Sequence, residues 1–414
     1  MPTSLSVTDA HAPDGPYSWF RLAVSILLST LGGVGMWSVV VVLPAVQADY
    51  GVDRSDASIP YTLTMIGFAA GNLLIGRWVD RFGIVLPVIG SALALGAGFS
   101  LAALSVDIWT FALAQGVLIG IGTAATFGPL LADVSHWFVR RRGIAVAAAA
   151  SGNYLAGALW PSVIKWGLEV SDWRGTYFLI ATICVLAMVP LALLLRTRAV
   201  PESDAALAAR GGYARPAAAE TGLSPKVLQS LLVLAGLGCC VAMSMPQVHI
   251  VAYCADLGYG VARGADMLAL MVGGGIVSRL VSGVLADRIG GVRTLLIGSV
   301  LQCAALFLYI PFDGLTSLYI VSLIFGLSQG GIVPSYAVIV REYLPAREAG
   351  QRIGLVIMAT IVGMALGGWM SGWIYDLTGS YQAAFLNGIA WNLMNIAVMV
   401  FLLLRSGRRS PAVA

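Results

Sequence analysis

Gly76-Arg77-Trp78-Val79-Asp80-Arg81-Phe82-Gly83 returns 207 residues later as Gly283-Val284-Leu285-Ala286-Asp287-Arg288-Ile289-Gly290. Each copy is a short polar turn between two long apolar runs. The same offset of 207 relates Gly143 to Gly350, each of which opens an apolar run after an Arg-rich loop. Trp173 and Tyr381 open the last run of each half at an offset of 208. An internal repeat of this length predicts two homologous halves.

The surroundings of the repeat say what the halves are made of. Of the 414 residues, 58% are hydrophobic and 11% charged, with a mean hydropathy of +0.87. Soluble chains carry about 25% charged residues, so the composition excludes an ordinary cytosolic enzyme. A helix needs roughly 20 apolar residues to cross a hydrocarbon core of about 30 Å. Apolar runs broken by charges predict spans at 19–47, 57–77, 84–105, 108–138, 143–168 and 174–196. A second set falls at 226–255, 264–286, 292–312, 315–343, 349–376 and 381–405. The expected architecture is an all-α membrane protein of twelve transmembrane helices in two pseudo-symmetric six-helix halves. Its parts are a cytoplasmic tail at 1–18, halves at 19–196 and 226–405, a solvated linker at 197–225 and a tail at 406–414. The first sixteen residues are polar and the apolar run after them is too long for a signal peptide, so it is read as the first span.

Charge placement orients the chain. With both termini in the cytoplasm, Arg54, Lys165, Arg174 and Arg263 fall outside and Arg279 within a span, which leaves nineteen of the 24 Lys and Arg residues inside. Asp49, Asp53, Asp56, Asp107 and Asp313 populate the outer loops. The positive-inside rule then puts both ends in the cytoplasm, and the chain is expected in the cell inner membrane. The basic residues form no patch for nucleic acid. The five cysteines lie in apolar runs without metal-ligand spacing and are read as packing residues. No nucleophile–base pair or zinc motif is present, so no catalytic residue, metal or cofactor is expected.

The paired G-x-x-x-D-R-x-G turns resemble the signature of the major facilitator superfamily. The resemblance covers nearly the whole chain and implies a secondary transporter with a substrate site at the midplane between its halves. It also implies a gating role for Gly76, Asp80, Arg81, Gly83, Gly283, Asp287, Arg288 and Gly290. Two further segments resemble the monocarboxylate transporter family. Asp14-Gly15-Pro16-Tyr17-Ser18-Trp19 is similar to its entry motif before the first span. Trp137-Phe138-Val139-Arg140-Arg141-Arg142-Gly143-Ile144-Ala145, leading to Gly152 and Gly157, is similar to its fifth-span motif. The oxalate/formate antiporter branch shares much of this pattern.

Arg279, midway through the eighth span, is the candidate for the substrate carboxylate. An arginine at the bilayer centre costs about 2.5–3.5 kcal/mol or more, so it should face a watery cavity or a partner. Its planar fork matches a carboxylate with two hydrogen bonds. The family resemblance implies a substrate-binding Arg in the same span, and an Asp one turn earlier where this chain has Gly275. That departure leaves the proton carrier open. His249 and Asp256 lie seven residues apart on about one face of the seventh span. They are read either as proton-coupling groups, His249 also touching substrate, or as a packing residue and an interfacial charge. Thr126 and Phe127 stand where the family often shows Asn-Tyr before a Pro, which points to a smaller or less polar pocket. Tyr336, from the opposite half, is a candidate for the missing hydroxyl, and Asn153 is a polar group on a glycine-rich helix. The ladders Gly67-x-x-x-Gly71, Gly363-x-x-x-Gly367 and Gly368-x-x-x-Gly372 are either sliding seams or static ones.

The function expected is symport of a short monocarboxylate, lactate or pyruvate, with a proton, by a monomer in the bilayer. An oxalate/formate antiporter would want a second cation in the eleventh span, and residues 353–370 hold no Lys or Arg. A sugar facilitator would lean on amides, of which the sequence shows few at span centres, and a multidrug facilitator on an embedded acid.

Overall fold

The computed structural model describes residues 14–138, 142–197, 222–344 and 349–407. Arg140 and Arg141, most of the expected linker and most of the two expected tails lie outside the described residues. Among the described residues every regular element is helical, and the helices line up as twelve rods. The first six are α1 (Pro16–Gly32 continued by Val34–Tyr50), α2 (Arg54–Phe82), α3 (Val85–Ala103), α4 (108–137), α5 (Arg142–Val170) and α6 (Trp173–Leu193). The second six are α7 (Pro225–Asp256), α8 (Val261–Ile289), α9 (Gly291–Leu308), α10 (315–343), α11 (Ala349–Thr378) and α12 (Tyr381–Gly407). Among the described residues, ten of these are long and apolar enough to cross a membrane. The other two, α2 and α5, reach 29 residues each.

Four interruptions were not foreseen from the sequence. A one-residue break at Gly33 divides α1, a π-helical stretch over Ala114–Gly120 widens α4, and turns at 125–127 and 330–331 divide α4 and α10. The second piece of α4 restarts at Gly128 with Pro129 in its first turn, where the missing N–H would have had no helical partner anyway. Both repeat motifs end alike. Gly83 and Gly290 take positive φ, 77° and 84°, and their N–H groups donate to Val79 and Ala286 oxygen at 2.8 and 2.9 Å. Positive φ of this kind is open to glycine, which has no Cβ to clash. The side chains of Gly76's neighbour Arg77, of Asp80 and of Asp287 lie outside the described set.

The chain divides into two compact units, Met1–Val46 with Leu63–Gly212, and Gln47–Thr62 with Tyr213–Ala414. The first turns of α2 therefore belong to the second unit.

In the first unit the two segments that resemble the monocarboxylate family meet. Tyr17 packs edge-on against Trp137 with ring centres 5.0 Å apart, and Trp19 against Phe138 at 5.1 Å. The Asp14 N–H donates to Trp137 oxygen at 3.0 Å. Beneath them lies Arg21, only 1% exposed. It donates from Nε and Nη2 to the two carboxylate oxygens of Asp133 at 2.7 and 2.8 Å, and from Nη1 to Leu195 and Thr197 oxygen at 3.1 and 2.9 Å. A buried guanidinium is tolerable only when it is paired and hydrogen-bonded in this way. It ties α1, α4 and the end of α6 together. Elsewhere Gly67 and Gly71 bring α2 onto α4, since a Cβ on either would collide with the backbone of Gly116 or Ile121.

In the second unit α7 is the buried rod. Tyr309 and Phe385 stack at 5.0 Å. The same unit buries a polar layer: Gln247 Nε2 donates to Gln329 Oε1 at 2.7 Å, and Asn395 Nδ2 to Ser299 Oγ at 2.7 Å. Gln229, Gln247, Gln302, Gln329, Asn392 and Asn395 are all buried in this unit. The expectation of few amides at span centres is thereby corrected. An isolated amide inside an apolar run carries little signal by itself, whereas folding gathers several together. All five cysteines are free, and all but Cys303 are buried.

Candidate functional site

Arg279 lies on α8 where that helix meets the break in α10. Its Nε donates to Gly330 oxygen at 3.4 Å. The two helices nearly touch there, because a Cβ on Gly330 would strike the Gly275 carbonyl and come 3.0 Å from the Arg279 nitrogen. Gly275, the departure from the family pattern, is thus part of a backbone seam that presents Arg279 at a gap in the α10 helix. Gln329, the residue before Gly330, carries the Gln247–Gln329 pair to the same break. Among the described residues Gln329 Nε2 and Gln247 Oε1 have no hydrogen-bond partner. Buried polar atoms left without partners are uncommon and costly. The break therefore combines a cation, an amide donor and an amide acceptor. Sequence reasoning singled out Arg279 and missed both glutamines.

His249 and Asp256 are joined through residues the sequence did not single out. The His249 Nε2 sits 2.8 Å from Gly368 oxygen, which can only accept, so the proton is assigned to Nε2. Nδ1 then accepts from the Tyr381 hydroxyl at 3.2 Å. The Tyr381 oxygen accepts from Arg54 Nη1 at 3.0 Å, and Arg54 Nη2 donates to both oxygens of Asp256 at 3.0 and 3.1 Å. The guanidinium lies 5.0 Å from the centre of the Tyr375 ring, within cation–π range. Asp376 accepts from the N–H groups of Arg54 and Ser55 at 2.9 and 2.7 Å, capping α2. The result is one hydrogen-bonded chain, Asp256–Arg54–Tyr381–His249–Gly368, that begins at a part-exposed carboxylate and ends on a buried imidazole. Burial alone would lower the Arg54 pKa, but Tyr381 and Asp256 outweigh it and hold it above its ordinary value. In the sequence Arg54 stands out only as one of four cations on the acidic side. Being in that minority was the available signal.

Thr126 and Asn153 come together around the break in α1. A Cβ on Gly32 would meet the Thr126 side chain, and one on Gly33 would meet Ala156 at 2.6 Å and the Asn153 Cα at 3.7 Å. The Thr126 hydroxyl donates to Thr123 oxygen at 2.8 Å, and Asn153 Oδ1 accepts from Trp37 Nε1 at 3.3 Å. Phe127 opens the second piece of α4 and lies 5.9 Å from the Phe68 ring. Tyr336 is fully buried and its hydroxyl donates to Asn395 Oδ1 at 3.0 Å. The structure places that hydroxyl in the polar layer of its own unit. Among the described residues no group of three or more His, Cys, Asp or Glu is arranged to hold a metal ion.

A helical bundle with buried ion pairs, broken rods and a cation held at one of the breaks is the construction of a membrane transporter. The chain belongs to the major facilitator superfamily, whose family model matches residues 25–315 and 256–414. It is 28% identical to monocarboxylate transporter 13 of Bos taurus over 95% of this chain and 91% of that protein. It is 27% identical to monocarboxylate transporter 11 of Homo sapiens over 93% and 82% of the two chains. An uncharacterised transporter of the superfamily from Escherichia coli, YhjX, is 24% identical over 83% of this chain and 85% of that one. Among solved structures, the nucleoside transporter NupG superposes with a TM-score of 0.72 over 92% of this chain and 99% of that chain, at 13% identity. A bacterial homologue of the human lysosomal transporter Spinster, inward-facing and unoccupied, does so with 0.68 over 95% and 96%, at 15% identity. Both share the twelve-helix fold.

Proposed function

We propose that the chain carries a short monocarboxylate, of the lactate or pyruvate type, across the cell inner membrane by proton symport and alternating access. Arg279 binds the carboxylate. The observation that carries this reading is the Arg279 guanidinium at the α10 break beside Gly330, in a chain whose relatives include monocarboxylate transporters. A planar cation with neighbouring amide groups is suited to a carboxylate with one further polar substituent, such as the hydroxyl or keto oxygen of lactate or pyruvate. Proton coupling is assigned to Asp256. Its protonation removes the partner of Arg54 and weakens the chain that leads to His249. The charge asymmetry along the sequence supports cytoplasmic termini, and the protein is read as a monomer.

The buried amide layer favours a second reading, facilitated transport of a neutral polar solute held by Gln247 and Gln329. Oxalate/formate exchange is the nearest alternative among anions. Uptake of labelled lactate into proteoliposomes under an imposed pH gradient separates these. The proposal expects gradient-driven uptake that Arg279→Ala abolishes. Uptake indifferent to the gradient refutes symport, full activity in Arg279→Ala refutes the site, and oxalate–formate exchange without a gradient supports the antiporter.

A further inference from the structure

We infer that a groove on the first unit, between α2, α3 and α4, is a binding site for one acyl chain of a phospholipid whose anionic headgroup is held by Arg81. The groove has a volume of about 390 Å³, within the roughly 300–1,000 Å³ of small-molecule sites. Its walls are Leu74, Trp78 and Phe82 of α2 and Leu86 and Gly90 of α3, and its floor includes Gly122 of α4.

Three observations select the occupant. First, the groove opens onto hydrocarbon. Ile66, Leu74, Trp78 and Phe82 are exposed on one side of α2, at spacings of four or eight residues. Leu86, Gly90, Leu93, Ala97 and Leu101 are exposed along one face of α3. Two membrane helices that show only apolar side chains along these stripes face lipid tails, and the groove lies between them. Second, the lining offers no hydrogen bond to a polar solute. Ser91 is the hydroxyl in the wall, and it donates to the Gly122 carbonyl. Third, a cation stands at the end of the groove. Arg81 is exposed at the end of α2, its guanidinium 5.3 Å from the centre of the Phe82 ring. A phosphate at that end of the bilayer and an acyl chain running down from it match the rim and the lining together. Juxtamembrane cations attract anionic lipid in this way.

Gly90 supplies a clean test, because a Cβ there meets nothing within 4 Å. Gly90→Leu fills the groove without disturbing the helices. Ala97→Leu, on the same exposed stripe but outside the groove, is the control. The full-length protein is reconstituted in vesicles of phosphatidylcholine with a tracer of phosphatidylglycerol bearing a photoactivatable acyl chain, and labelled peptides are located by mass spectrometry. The expected result is label concentrated on residues 74–94 in the wild type and in Ala97→Leu. Gly90→Leu should lower it about tenfold or more, since each buried methylene displaced is worth roughly fourfold at ~0.8 kcal/mol. Arg81→Gln should abolish the preference for phosphatidylglycerol over a matched phosphatidylcholine probe. Label spread evenly over all lipid-facing helices and unchanged by Gly90→Leu overturns the site. Label absent from 83–94 in the wild type, as a second copy of the chain covering the groove would give, overturns the occupant. Equal labelling by the two probes in the wild type overturns the role of Arg81.

Discussion

Replacing Asp256 by Asn tests whether the chain from Asp256 to His249 holds the start of α2 in place. The substitution keeps the shape and removes the charge, as protonation would. Arg54 Nη2 donates to both carboxylate oxygens, at 3.0 and 3.1 Å. An asparagine retains one acceptor and turns an N–H toward the guanidinium. Charge-assisted bonds contribute about 1.5–3 kcal/mol and neutral ones about 0.5–1.5. The Arg54 side chain is 7% exposed and that of Asp256 29%. The loss therefore falls below the ~3–5 kcal/mol of a fully buried broken pair and above the ~0–1 of a surface pair. About 2 kcal/mol is expected. The reporter is Ser58→Cys, since Ser58 is fully buried beneath Gly372 of α11 and a thiol there reacts with maleimide only when α2 lifts away. With the partly exposed Cys303 replaced, Asp256→Asn should raise the labelling rate about 30-fold, the ratio that 2 kcal/mol sets. Arg54→Ala should raise it at least as much, and the double variant no more than Arg54→Ala alone, because the unpaired guanidinium is then gone. Rates within about threefold of the parent, or single effects that simply add, would show that the pair is a surface decoration.

Arg21→Ala should strand Asp133 and free the end of α6, a loss of about 3–5 kcal/mol. Its check is the yield of folded protein by size-exclusion profile, and Arg21→Lys should recover little because a point charge cannot replace the fork. Gly330→Ala should drive α8 and α10 apart at Gly275; on the function proposed above it lowers lactate affinity more than folding yield, as read by lactate-dependent shifts in melting temperature. Glu342, in the last turn of α10 and beyond its membrane-crossing part (Leu315–Val340), accepts from the Gly291 N–H at 3.1 Å. Burial pushes its carboxyl above the ordinary 4.5 and that N–H only partly offsets it. The folded state therefore binds this proton more tightly than the unfolded state. The stability that binding supplies is complete below 4.5 and is lost as pH rises through the folded value. Melting temperature of the wild type should fall relative to Glu342→Gln over that window and run parallel above it.

The rods were legible because apolar run length is a one-dimensional property. The predicted spans and the helices differ at their ends by five residues or fewer, and the glycine stops at Gly83 and Gly290 follow from the repeat itself. The breaks were not legible. Gly33, the π-helical stretch and the turn at Gly330 depend on what a neighbouring helix presses against them, which no local propensity records. The site shows the same division. Arg279 stands out by its cost in a membrane, whereas Gln247 and Gln329 are cheap enough singly to pass unnoticed and matter only as a pair. Tyr381 was seen as the opening of a span, and its hydroxyl acquires a role only once Arg54 and His249 lie on either side of it.

The lack of a basic residue between 353 and 370, read as a mark of a one-carboxylate site, has a cause in packing. Gly363 and Gly367 lie against α7, where a Cβ would come within 2.5 Å of Leu237 oxygen at the first and 2.7 Å of the Val241 Cα at the second. Gly368 and Gly372 lie against the first turns of α2, where a Cβ would come 2.9 Å from the Tyr61 ring at the first and 2.9 Å from Arg54 oxygen at the second. Two adjacent stripes of α11 are spent on backbone contact, and neither has room for a lysine. The same approach delivers the Gly368 carbonyl to His249 Nε2 at 2.8 Å and fixes which ring nitrogen carries the proton. Gly368→Ala, adding one methyl group, should therefore act on both at once. It should push Tyr61 and α2 outward, raising labelling at Ser58→Cys as Asp256→Asn does, and release the His249 proton donor. If Gly368→Ala leaves that labelling unchanged, the close contact of α11 with α2 is not what holds the chain of hydrogen bonds together.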